Sequence, residues 1–135
     1  MNIKTINPSD DIKPLGPYSL AVCAENLLFT SGRIGINPLS DKLVDGGLDF
    51  EIKQIIDNIA ISLHEVGLKW HNVIKVTVYL QKTENIDYFM DVFGDYINAL
   101  HTKLVYTLIQ VDELPENALV EIEVIATMKK VYYII

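Results

Sequence analysis

The sequence predicts an α+β domain in which two helices cover one face of a mixed β-sheet. Three observations carry this: two stretches with apolar residues every three or four positions, several stretches with strict alternation, and the order in which they follow one another. The chain has 135 residues, half of them hydrophobic, which suits one domain of ordinary size with a single two-layer core. Residues 1–135 are read as that one domain.

The elements follow in order. Residues 7–17 carry Pro8, Pro14, Gly16 and Pro17 and form a loop. Residues 20–24 and 27–34 are short strands, with Glu25-Asn26 as a tight hairpin turn between them. Residues 35–47 hold Asn37-Pro38 and Gly46-Gly47 and read as a loop; the glycine pair lacks the spacing and the Lys-Ser/Thr partner of a phosphate loop. From 49 to 66, Ile52, Ile55, Ile56, Ile59, Leu63 and Val66 make one helical stripe, and Gly67 is placed to end it. Residues 73–80 alternate, with Ile74, Val76, Val78 and Leu80 on one face and Lys75, Thr77 and Tyr79 on the other. A second helix runs from 85 to 100 along Ile86, Phe89, Phe93, Ile97 and Leu100. Strands at 104–111 and 119–128 complete the sheet, and residues 131–135 form an apolar extension.

Two helices on one face leave the other face of the sheet to be covered by something else. That face is expected to carry Val73, Thr77, Tyr79, Leu119 and Ile125 with Glu121 and Glu123, a mixture too apolar for a solvated surface. Oligomerisation is the economical solution. The last strand sharpens the point, because alternation in Val120-Glu121-Ile122-Glu123-Val124-Ile125-Ala126 sets two carboxylates on one side of an otherwise apolar run.

Charge and composition exclude several classes. A formal net charge of −7 with scattered basic residues argues against nucleic-acid binding, which draws on Lys and Arg to neutralise phosphates. The single Cys23 cannot form an internal disulfide or a cysteine cluster, and it is expected as a buried, inert thiol. His64, His71 and His101 show no ligand spacing, so no metal site is expected. No apolar run reaches membrane-spanning length, and residues 1–14 lack the apolar core of a signal peptide. The expectation is a soluble, cytoplasmic protein.

Four pieces in order resemble the RidA/YjgF family: Gly16-Pro17-Tyr18-Ser19, Thr30-Ser31-Gly32-Arg33-Ile34, the helix with Asp57-Asn58-Ile59, and Leu114-Pro115 followed by the Glu121-Ile122-Glu123 strand. The resemblance implies a chorismate-mutase-like α+β fold, a homotrimer and small-molecule clefts between subunits. It also implies hydrolytic deamination of reactive enamines and imines, of the 2-iminobutanoate and 2-iminopropanoate type, to 2-keto acids and ammonia, without metal or organic cofactor. The alternative use of the same cleft is binding or sensing of a small carboxylate or carbonyl metabolite without turnover. Other members carry the labels translation inhibitor and endoribonuclease.

Carried over by position, Glu121 is the residue that handles the attacking water, and Tyr18, Ser31 and Gly32 line the pocket. Gly32 lets backbone N–H groups approach a bound carboxylate or carbonyl. The family's pocket arginine falls at Tyr106, next to Thr107, and Arg33 is the only arginine in the chain. A phenol cannot reproduce the two-pronged grip of a guanidinium on a carboxylate. Arg33, two residues beyond Ser31, is the candidate to supply that charge instead. Glu123 reads as a solvated or interface charge.

Overall fold

The computed structural model describes the backbone of residues 3–6 and the whole of residues 20–131. Strands β1 (Ile3–Ile6), β2 (Ala21–Ala24), β3 (Leu27–Thr30), β6 (Val73–Gln81), β7 (Val105–Val111) and β8 (Val120–Thr127) form one sheet in the order β1-β2-β3-β8-β6-β7. Within it β6 and β7 are parallel and every other pairing is antiparallel. Helices α1 (Leu48–His64) and α2 (Ile86–Ala99) lie on one face. The expected α+β architecture of a mixed sheet with two helices on one side is what the chain adopts.

Local chemistry sets the helix ends. Asp49 and Glu51 sit in the first turn of α1, where carboxylates meet the positive end of the helix. Beyond its last turn, Gly67 takes φ +75°, the Leu68 N–H reaches the Leu63 carbonyl at 2.9 Å, and the Gly67 N–H reaches that of His64 at 3.0 Å. These are the two closing bonds of a Schellman stop, and glycine enters that conformation without steric penalty. Asn85 caps α2, its side chain accepting the Tyr88 N–H at 2.8 Å.

The core lies between helices and sheet. Ile52, Ile55, Ile59 and Leu63 of α1 and Phe89 and Phe93 of α2 close on Val76, Val78, Leu80, Val120, Ile122 and Val124. Phe89 and Phe93 stack with ring centroids 5.4 Å apart. Burial alternates along the whole of β8, so Glu121 and Glu123 fall on the face away from the helices.

Several expectations are corrected. Val73, expected on the open face, is fully buried, because an irregularity in the β6–β8 ladder between Val73 and Lys75 resets the alternation at the strand's first residues. Leu119, also expected there, packs against the core, with its N–H held by the Glu51 carboxylate at 2.8 Å. The loop at 35–47 contains a small hairpin of β4 (Ile36–Asn37) and β5 (Lys42–Leu43). The strand expected over 27–34 pairs continuously only to Thr30, beyond which one bridge joins Arg33 to Ile122. β1 was not expected. The expected loop at 7–17 and the last four residues of the expected extension lie outside the described residues.

Candidate functional site

The site is organised by the break in the β3–β8 ladder. Phe29 pairs with Ile125, whereas Arg33 pairs with Ile122, so β3 carries one residue more than β8 across this stretch. Thr30 closes the resulting gap, its hydroxyl accepting the Val124 N–H at 2.9 Å. Past the break, Gly32 lies over Glu121: a Cβ on Gly32 would stand 2.8 Å from Glu121 Cδ and 2.9 Å from Oε1. Here glycine is required by close approach, since any side chain would enter the space of the carboxylate.

Glu121 is half-buried. Burial, and after it the charge of Glu123, pushes its carboxyl above the usual carboxylate range. Tyr79 stands directly across from it on β6, and the Tyr79 hydroxyl donates to Glu123 Oε1 at 3.2 Å. The charge of Glu123, with burial and this hydrogen bond contributing less, raises the phenol's own pKa. Two carboxylates two residues apart on one strand face therefore have different settings: Glu123 accepts a hydrogen bond, and Glu121 faces the gap beneath Gly32.

Ser31 and Arg33 converge on one backbone atom. The Leu20 carbonyl accepts the Ser31 N–H at 3.0 Å, the Ser31 hydroxyl at 3.2 Å and Arg33 Nη2 at 2.8 Å. Nη2 also donates to Ser62 Oγ at 2.9 Å, and Nη1 to the Asn58 carbonyl at 3.4 Å. Arg33 is only 5% exposed, its Nε has no acceptor within reach among the described residues, and burial brings its pKa down to about 10. Because Arg33 shares a ladder position with the core residue Ile122, its side chain enters the helix layer, on the far side of the sheet from Glu121. The guanidinium holds α1 to the start of β2.

Tyr106 and Thr107 are split by strand alternation. On the edge strand β7, Tyr106 pairs with the core-facing Val76 and Thr107 with Thr77. Tyr106, half exposed, borders a groove of about 370 Å³ between α2 and β7, lined also by Phe93, Ile97 and Lys103. Thr107 is on the Glu121 side and accepts a hydrogen bond from Lys75 Nζ at 3.1 Å. The structure thus brings Gly32, Glu121 and Thr107 to one face, places Ser31 at the edge of the ladder break, and sends Arg33 and Tyr106 to the other side. Tyr18 lies outside the described residues.

Sequence reasoning put Tyr79 and Lys75 on this face but named neither as a candidate site residue. Their signal was available in register: once β6 is paired to β8, Tyr79 falls opposite Glu121, Thr77 opposite Glu123 and Lys75 opposite Ile125. Among the described residues of the sheet, Lys75 is the one cation whose position faces this side.

A two-helix layer on one face of a mixed sheet, with a carboxylate under a glycine on the other, defines a two-layer α+β domain, and comparison with known proteins specifies its family. The sequence profile of the endoribonuclease L-PSP family matches residues 8–128. The chain belongs to this family, which includes the RidA/YjgF proteins. It is 42% identical over 113 residues to a RutC family protein of Aquifex aeolicus, covering 84% of this chain and 90% of that one. It is 36% identical over 124 residues to the 2-iminobutanoate/2-iminopropanoate deaminase of Bos taurus, covering 91% and 88%. A solved structure of the conserved Rid-family protein YyfA from Yersinia pestis superposes with a TM-score of 0.85 at 31% identity, covering 93% of this chain and 99% of that one. No helix among the described residues is long and apolar enough to cross a membrane.

Proposed function

We propose that this chain hydrolyses small 2-imino acids and their enamine tautomers, of the 2-iminobutanoate and 2-iminopropanoate type, to 2-keto acids and ammonia. The observation that carries the reading is the Glu121 carboxylate, half-buried beneath Gly32 with its pKa raised by burial and by Glu123. A carboxylate so placed is suited to take a proton and return it. The relatives named as 2-iminobutanoate/2-iminopropanoate deaminases support the substrate class.

In the reaction, Glu121 takes a proton from water as the water oxygen attacks the carbon of the protonated C=N bond. A carbinolamine results. Glu121 returns the proton to the nitrogen, the C–N bond breaks, the hydroxyl proton is released, and ketone and ammonia separate. Every step is a proton transfer or addition that a single carboxylate can serve, so the chemistry calls for no redox partner.

The working unit of this reading is a homotrimer with the site between copies. Phe29, Val105 and Ile109 are 40%, 66% and 43% exposed on the open face and edge of the sheet, and among the described residues β7 is an edge strand. Both features call for a covering partner. Tyr18, Ser31, Gly32 and Glu121 of one copy would then meet Tyr106 and Thr107 of its neighbour.

The test is a direct assay in which 2-iminobutanoate is generated by a pyridoxal-phosphate dehydratase and its disappearance is followed. The wild-type protein accelerates it, and Glu121→Gln loses about a hundredfold or more. No acceleration over buffer overturns the reading. A second reading, binding of a small carboxylate or carbonyl metabolite without turnover, is favoured by one observation: the guanidinium of Arg33 lies in the helix layer and no arginine stands at Tyr106. A saturable ligand with no turnover would decide for it.

A further inference from the structure

On the helix side, away from the open sheet face, a groove of about 640 Å³ lies where the C-terminal ends of α1 and α2 meet the short 3₁₀ turn Trp70–Asn72. Its lining is largely apolar, with Ile61, Leu68, Trp70 and Leu100, and the exposed His64 and His71 are among its polar members. The indole N–H of Trp70 is already taken by the Ile56 carbonyl at 3.1 Å, so this tryptophan offers the groove apolar surface rather than an unmet donor. A concavity of this size and lining suits an apolar occupant with a few polar tips.

The chain itself supplies one. β8 ends beside this groove, since the Thr127 carbonyl accepts the Asn72 side-chain N–H at 3.1 Å and Asn72 directly follows Trp70 and His71. After β8 the chain bends, is exposed at Met128, Lys129 and Lys130, and is partly buried again at Val131. The next four residues read Tyr132-Tyr133-Ile134-Ile135, an uncharged apolar run of the kind that surfaces do not leave open to water. They lie beyond residue 128, where the match to the family ends, and so are an addition to the shared fold. The stretch from Met128 to Ile135 extends up to about 26 Å, enough to turn round Asn72 and lie along the groove.

We propose that Tyr132-Tyr133-Ile134-Ile135 docks in this groove of its own chain, as a strap that joins the end of the sheet to the ends of both helices. Its apolar side chains cover Ile61, Leu68, Trp70 and Leu100, and the tyrosine hydroxyls point toward His64 and His71. A tether this short holds the segment at a roughly millimolar effective concentration, which favours the chain's own groove over a neighbour's. The inference goes beyond the deaminase reading and does not rest on it: the groove is across the sheet from Glu121 and clear of the face that a trimer covers.

Trp70 is the one tryptophan in the chain, so its fluorescence reads the groove directly. Against the full chain, a chain shortened to residues 1–130 is expected to show Trp70 emission shifted to the red and more strongly quenched by acrylamide. Leu100→Lys, at a position 36% exposed, and Ile134→Asp are expected to give the same shift with unchanged circular dichroism. NMR on the full chain is expected to show NOEs from the Tyr132 and Tyr133 rings to the Trp70 indole and the Leu100 methyl groups. Ile134→Asp loses the ring contacts to Trp70. In a co-refolded mixture of isotope-labelled and unlabelled protein, the contacts arise within single chains. Identical emission and quenching in the full and shortened chains, or no NOE from either ring to the groove, overturns the proposal. NOEs from the rings to β7 instead, which would lay the segment along the sheet edge, overturn it too, as do groove contacts between labelled and unlabelled chains. If Leu100→Lys does not fold, Ile134→Asp carries the test, because it changes the segment and leaves the groove as it is.

Discussion

Replacing Arg33 with methionine separates two accounts of a buried guanidinium. In the structure its acceptors are all neutral: the Leu20 and Asn58 carbonyls and the Ser62 hydroxyl. Bringing the pKa down to about 10 corresponds to a cost of about 3 kcal/mol for holding the charge there, at about 1.4 kcal/mol per tenfold change. Against this stand two short hydrogen bonds and one long one, worth about 1.5–3 kcal/mol each when the donor is charged and the geometry good. Methionine keeps most of the side-chain volume and removes the desolvation cost together with the hydrogen bonds. The Leu20 carbonyl retains the Ser31 N–H and hydroxyl, leaving the Ser62 hydroxyl as the principal group deprived of a partner. The expected net change is a loss of no more than about 2 kcal/mol, in line with buried ionic groups that are replaced by apolar residues of similar volume. Arg33→Lys should be worse than Arg33→Met, because a compact ammonium is more strongly hydrated and cannot span the three acceptors. Urea denaturation at fixed protein concentration measures this, with concentration held constant because assembly shifts apparent stability. A loss for Arg33→Met beyond about 4 kcal/mol would refute the reasoning, since it is the signature of a buried charge separated from a true counter-ion.

Substitutions at three other positions give separate outcomes. Gly32→Ala puts a methyl group 2.8 Å from Glu121 Cδ, so the carboxylate must swing aside; deaminase kcat falls while the unfolding free energy measured in urea drops by no more than about 1–3 kcal/mol. Glu121 must be ionised to accept a proton, and its pKa lies above the ordinary value because of burial and Glu123; kcat therefore falls as pH drops through that raised pKa, and Glu123→Gln, which removes the repulsion, moves the acid limb to lower pH, as a pH–rate profile will show. Glu51 is 3% exposed, with burial the main cause of its raised pKa and Glu84 a lesser one opposed by the Leu119 N–H bond. Its folded state binds a proton more readily than its unfolded state, so stability falls as pH rises from the ordinary glutamate pKa through the raised one. Glu51→Gln keeps an acceptor for Leu119 and flattens that slope, whereas Glu51→Ala orphans the N–H and costs about 1–3 kcal/mol, both read from denaturation at a series of pH values.

The helices and the long strands were legible because each displays its period over enough residues. α1 shows five turns of apolar spacing and a glycine stop, and β8 alternates without interruption from Val120 to Thr127. What escaped was local irregularity. The resetting of alternation near Val73 and the extra residue between Phe29 and Arg33 both invert which face a side chain takes, and a shift of one residue is invisible to a pattern of period two. Arg33 shows the consequence: counting two residues on from Ser31 puts it in the cleft, whereas its pairing with Ile122 turns it into the helix layer. Lys75 and Tyr79 fall on the correct face by sequence alone, but their relation to Glu121 and Glu123 is a matter of cross-strand register, which a single strand's pattern does not contain.

Strand alternation also makes a statement about assembly. Tyr106 and Glu121 are on opposite sides of the same sheet, one at a groove beside α2 and the other under Gly32. No rotamer change carries a phenol through a hydrogen-bonded sheet, so a site using both must take them from two copies of the chain. The edge position of β7 makes that possible, because a neighbour laid along it meets Tyr106 directly. A mixing experiment tests this. If Glu121→Gln and Tyr106→Ala each abolish deamination, co-refolding equal amounts of the two inactive variants restores activity to about a quarter of wild type, the chance that a site draws its intact Tyr106 and its intact Glu121 from the right pair of copies in a cyclic assembly. Sites built within one chain would give no recovery at any ratio, because every copy carries one defect. Recovery that scales with mixing ratio would therefore fix the site between subunits, and its absence in properly assembled mixtures would remove Tyr106 from the reaction.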